Sequence, residues 1–116
     1  MLAEKLYTTG EHYSSAFNFG PHIDSNRSVE ELLDEVVKHW PGTWQQTEPR
    51  NAPHEAQRLH LQIDKAHHSL GWKPRWDFET AVKRTIDWYQ NVEQGAEPLK
   101  CCINDINAYA NPKTYK

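Results

Sequence analysis

In this 116-residue sequence the side chains best placed to do chemistry together are Pro53-His54-Glu55-Ala56-Gln57-Arg58, with Arg50 just upstream. His54 and Glu55 stand side by side after a proline and offer acceptors suited to the hydroxyls of a ribose or another sugar. Arg50 and Arg58 bracket them with donors that suit a diphosphate. A solvated loop of mixed charge has the same composition, and the residue types alone leave both readings open. The run His54 to Arg58 also begins like the helix motif of zinc proteases and then departs from it. Arg58 stands where a second histidine, one helical turn on, would have to complete the ligand pair. His54, His60, His67 and His68 could come together in principle, but no Cys or carboxylate recurs at ligand spacing, so no metal is expected.

Other chemistries fail on spacing. The five glycines are dispersed, and none forms a Gly-x-Gly cluster after a strand, so no dinucleotide site is expected in this chain. No serine sits in a nucleophile elbow. A tyrosine followed four residues later by lysine occurs as Tyr109 and Lys113, in a polar tail with no nicotinamide site beside it. Cys101 and Cys102 are neighbours, a pairing that would strain a disulfide, and are expected to be reduced thiols in a reducing compartment. The net charge of −3 and the scattering of basic residues argue against a nucleic-acid partner. No apolar run approaches the roughly 20 residues of a membrane span, and the first ten residues lack the marks of a leader. The expected location is the cytoplasm, with no membrane partner.

The elements that must position these residues are thinly apolar. Hydrophobic residues make up 37% of the chain, little for a domain that buries its own core, and five Trp and five Tyr are expected to fill much of it. Leu2, Ala3, Leu6 and Tyr7 have helical spacing with Gly10 as a stop, and the pattern starts without an N-cap, as if continuing a longer helix. Ala16 to Phe19 alternates as a short strand with Phe17 and Phe19 on one face. Ser28 and Glu31 form a capping box for a helix whose stripe, Val29, Leu32, Leu33, Val36 and Val37, is expected to be buried. Thr43 to Thr47 and Leu59 to Ile63 read as extended segments on either side of the candidate loop. Asp64 is expected to cap a helix that Gly71 ends. Asp77 caps the next, with a stripe of Phe78, Ala81, Val82, Thr85, Trp88 and Tyr89 as far as about Val92. Ile103, Ile106 and Ala110 give the tail a helical spacing, but it is short and polar. Between the two capped helices lies Gly71-Trp72-Lys73-Pro74-Arg75-Trp76. Gly71 is expected to supply a left-handed turn there, and Trp72 to pack on the helix from Phe78 to Tyr89.

Taken in order, AFNFGP, NRSVEELLDEVVKHW and NAPHEAQRLHLQIDKAHHSLGWKPRWDFETAVKRTIDWY resemble the C-terminal part of the CDP-glucose 4,6-dehydratases, a branch of the extended short-chain dehydrogenase/reductases. The joint LGWKP followed by TIDWY is similar to the wider group of sugar-nucleotide epimerases and dehydratases, whereas NAPHEA and PRWDFET point to the CDP-glucose branch. The resemblance implies an α+β fold for residues 1–116: a small helical lobe with a few short strands that binds substrate, without the Rossmann domain. In such enzymes that domain binds NAD and carries the catalytic Thr, Tyr and Lys. It oxidises the sugar at C4, after which water is lost across C5 and C6 and the hydride returns to C6, a lyase reaction of polysaccharide biosynthesis. The lobe would hold a CDP-sugar, with Glu55 near the ribose, His54 beside it, and Arg50 and Arg58 toward phosphate. Its partner would be the missing Rossmann half or, failing that, a copy of itself. The competing expectation is a non-catalytic binding or assembly module that keeps the fold.

Overall fold

The computed structural model describes residues 1–45 and 61–111. Its helices are α1 (Leu2–Thr9), α2 (Val29–His39), α3 (Asp64–Leu70), α4 (Phe78–Glu93) and α5 (Pro98–Ala110), with short 3₁₀ turns at Gly10–Tyr13 and Ile23–Ser25. Helix α4 lies between α2 and α5 and packs on both, while α1 meets the turn that follows it. Among the described residues no helix is long and apolar enough to cross a membrane.

The strands expected of an α+β lobe are not found among the described residues. Ala16 to Phe19 belongs to no ladder, and neither do Thr43 to Gln45 nor Leu61 to Ile63. Gln46, Thr47, Leu59 and His60 lie outside the described residues. A strand exists only by exchanging hydrogen bonds with a neighbour, and alternation of side chains cannot supply the neighbour. The alternation itself is real: the rings of Phe17 and Phe19 stack on one face, 6.5 Å apart. Side chains from α3 replace the ladder, since the Lys65 ammonium donates to Ser15 Oγ (2.9 Å) and the Ala16 carbonyl (2.8 Å) and lies over the Phe17 ring.

Helix α2 starts where its capping box predicts. Ser28 Oγ accepts from the Glu31 N–H, and Glu31 Oε2 accepts from the Ser28 N–H at 2.7 Å. Helix α1 ends at Gly10, with φ of 70°. Helix α3 begins one residue earlier than a cap at Asp64 requires: Ile63 is its N-cap, and Asp64 sits in the first turn, accepting from the Gln62 amide at 3.1 Å. The tail is helical from Pro98, whose ring suits a first helical position, to Ala110.

The stripes are less buried than their periodicity suggests. The buried apolar side chains among the described residues are Ala66, Leu70, Val82, Ile86 and Ala108. Val29 is 73% exposed, and Leu32, Tyr89, Ile103 and Ile106 are also exposed. A helix with one close neighbour covers only the edge of its stripe that meets that neighbour. On α2 the buried side chain is Glu35, 7% exposed, gripped by Lys38 Nζ at 2.5 Å and by His39 Nε2 at 3.2 Å. The hydrogen bond from Lys38 holds the Glu35 carboxyl below its usual range despite burial, and the same bond raises Lys38.

Asp77 caps α4 by accepting from the Thr80 N–H at 2.9 Å, and its hydrogen bonds from Thr80 lower its pKa from 3.8. A depressed carboxyl stabilises the fold above its unfolded pKa, and that contribution is lost as pH falls through the folded value. Asp77→Asn, which keeps a capping oxygen but does not titrate, should leave stability at about pH 7 within roughly 0.5 kcal/mol of wild type. It should also flatten the loss on going to about pH 3. Urea midpoints at the two pH values check this, and equal acid slopes in both proteins would refute it.

Candidate functional site

The candidate side chains His54, Glu55, Arg58 and Arg50 lie outside the described residues, as does the His-Glu-Ala-Gln-Arg run. What the structure does describe is the ground on either side of that loop, built on the joint after α3. Gly71 adopts φ 66° and ψ 17°, a left-handed turn that suits glycine, and its N–H donates to the His67 carbonyl. From that turn the joint reaches three parts of the molecule. Trp72 meets the Phe19 ring edge-on at 5.1 Å, so its aromatic partner is the extended segment rather than an aromatic of α4. Arg75 donates to the Tyr109 and Ala110 carbonyls at 2.8 and 2.6 Å, closing the C-terminal end of α5, where a cation is favoured. Trp76 meets the Tyr109 ring edge-on at 5.1 Å and carries the Arg84 guanidinium over its face at 5.6 Å.

Two grooves share Trp72. One, of about 610 Å³, is apolar and runs between the joint, α2 and α4, lined by Phe19, Leu32, Val36, Phe78 and Val82 among others. The other, of about 650 Å³, is mixed: His22, Gln62, Asp64, His67 and Lys73 line it beside Ile23, Ile63, Trp72 and Pro74. Gln62 and Ile63 follow the candidate loop in sequence. Gly20 permits the close approach of Leu61, because a Cβ there would stand 3.2 Å from the Leu61 Cβ. Two imidazoles, an ammonium, a carboxylate and an indole can hold a polar ligand by hydrogen bonds and stacking. His22 and Lys73 had no signal in the sequence, since nothing local ties them to His67.

His67 and His68 lie 5.2 Å apart, ring to ring. Among the described residues no three of His, Cys, Asp and Glu converge as metal ligands. Cys101 and Cys102 are both free thiols. Among the described residues no strand leads into a helix through glycines.

No family model matches the chain. In an alignment of 116 positions that takes in 98% of its length, it is 34% identical to a CDP-glucose 4,6-dehydratase of Salmonella typhimurium, of which it covers 32%. In one of 109 positions that takes in 81% of its length, it is 32% identical to a dTDP-glucose 4,6-dehydratase of Escherichia coli and covers 30% of it. A putative UDP-glucose 4-epimerase of Methanocaldococcus jannaschii is 40% identical over 67 residues, 55% of this chain and 21% of that protein. The chain thus spans about a third of the length of the dehydratases it matches. It is similar to sugar-nucleotide dehydratases and to a putative sugar-nucleotide epimerase. Within them it resembles the C-terminal part of CDP-glucose 4,6-dehydratase.

Proposed function

We propose that residues 1–116 form the sugar-nucleotide-binding lobe of a CDP-glucose 4,6-dehydratase, the remainder of the enzyme supplying NAD and the catalytic groups. The observation that carries this reading is the match to CDP-glucose 4,6-dehydratase, which runs through 98% of the chain, where the dTDP-glucose enzyme of Escherichia coli matches 81%. In this proposal the loop residues bind the nucleotide: Glu55 accepts from the ribose hydroxyls with His54 beside it, and Arg50 and Arg58 face the diphosphate. The lobe binds and orients, holding the sugar where a hydride acceptor in the other domain can reach C4.

Calorimetric titration with CDP-glucose and dTDP-glucose, on the chain joined to the Rossmann half of a relative, tests the reading. CDP-glucose should bind at least about tenfold more tightly than dTDP-glucose, and Glu55→Ala should weaken it by about tenfold or more, the equivalent of one well-made hydrogen bond to a charged group. Unchanged affinity in Glu55→Ala removes Glu55 from the site. Binding of neither nucleotide, with the chain forming oligomers instead, would favour the non-catalytic assembly module.

A further inference from the structure

We propose that the groove between α4 and α5 binds a neutral saccharide. The groove has a volume of about 400 Å³, within the range of small-molecule sites. Helix α4 contributes Asp87, Trp88 and Asn91 to it, and α5 contributes Asn104, Asp105 and Asn107.

Asparagine is a poor helix former, because its amide competes for backbone hydrogen bonds. Yet α5 places Asn104 and Asn107 three residues apart on the side that faces α4, and Asn91 stands across from them. The side-chain amides of these three are exposed and make no hydrogen bond to the described residues, so they are open to exchange water for a ligand. The two carboxylates are half engaged. Asp87 Oδ2 accepts from Lys83 at 2.6 Å and Asp105 Oδ1 from Arg84 at 3.2 Å, which leaves one oxygen of each to accept from a ligand.

That pairing decides the charge of the ligand. Among the described residues two carboxylates meet one lysine and one arginine, so an anion would face the carboxylates and a cation would compete with Lys83 and Arg84. A hydroxyl both donates and accepts, as an amide does, and adjacent hydroxyls of a sugar ring can use the oxygen and nitrogen of one amide together. Trp88, half-buried, adds a flat apolar wall for the C–H face of such a ring.

Two-dimensional NMR of the chain during titration with maltose, with linear sorbitol as control, tests the site. The side-chain amides of Asn104 and Asn107 and the Trp88 indole N–H should shift saturably with maltose at a Kd of about 1–10 mM, and not with sorbitol. The double variant Asn104→Ala, Asn107→Ala should keep or raise the melting temperature, since alanine is the better helix former, while binding falls about tenfold or more. Added CDP should not displace maltose, whichever way the nucleotide proposal turns out. No saturation by about 50 mM maltose, an equal response to sorbitol, displacement by CDP, or full affinity in the double variant would each overturn the site.

Discussion

Trp76→Ala is expected to lower the free energy of unfolding by about 2–4 kcal/mol, toward the lower part of the range for large aromatic truncations because the side chain is only half-buried. The ring does two jobs at one corner. It meets Tyr109 of α5 edge-on, and it supports the Arg84 guanidinium, whose Nη1 reaches Asp105 of α5 at 3.2 Å. Its neighbours in the chain act at the same place: Arg75 closes the end of α5, and Asp77 caps α4. Removing the indole leaves a gap between the two helices and frees Arg84 from the ring that orients it. With so few buried aliphatic side chains elsewhere, the loss is a large part of the roughly 5–15 kcal/mol that holds a domain. Urea titration measures it, and amide exchange should show α5 opening first. A loss below about 1 kcal/mol would mean that the α4–α5 contact does not depend on this ring.

What could be read from the sequence was whatever is decided locally. The capping box of Ser28 and Glu31, the cap at Asp77 and the left-handed turn at Gly71 each rest on residues within one helical turn, and each is where it was expected. Partners distant in the chain could not be read. Nothing near Trp72 marks Phe19 as its neighbour, and nothing near Arg75 marks the last turn of α5. Periodicity set the apolar side of α2, but how much of it is covered depends on what packs there, so Val29 is exposed and Glu35, held by Lys38 and His39, is buried. Among the described residues the expected extended segments form no ladder, because side-chain alternation does not supply a neighbour to pair with. The candidate loop rests on residue types and on the resemblance and lies outside the described residues; the similarity to sugar-nucleotide dehydratases bears on the resemblance, not on the loop's residues. His22 and Lys73 come together with Gln62 and Ile63 only through the fold.

The chain by itself is expected to form no 4-keto sugar from CDP-glucose and NAD above the rate without protein, against the million-fold or greater gain, roughly, that an enzyme provides. Taking a hydride from C4 requires a nicotinamide held against the sugar, and its diphosphate needs a glycine-lined turn between a strand and a helix. The five glycines, at 10, 20, 42, 71 and 95, are never close enough in sequence to make one. The C4 hydroxyl must also lose its proton, which in this chemistry falls to a tyrosine made more acidic by a nearby lysine. Here that spacing occurs only at Tyr109 and Lys113, and the Tyr109 ring is engaged with Trp76. Incubation of purified chain with CDP-glucose and NAD, followed by chromatography of the sugar nucleotide, reads the outcome. Mixing the chain with the Rossmann half of a relative separates two causes of silence. Turnover in the mixture alone would place the catalytic groups in the added half, whereas turnover by the chain alone, free of host dehydratase, would mean that a proton acceptor and a hydride site exist among residues assigned no such role.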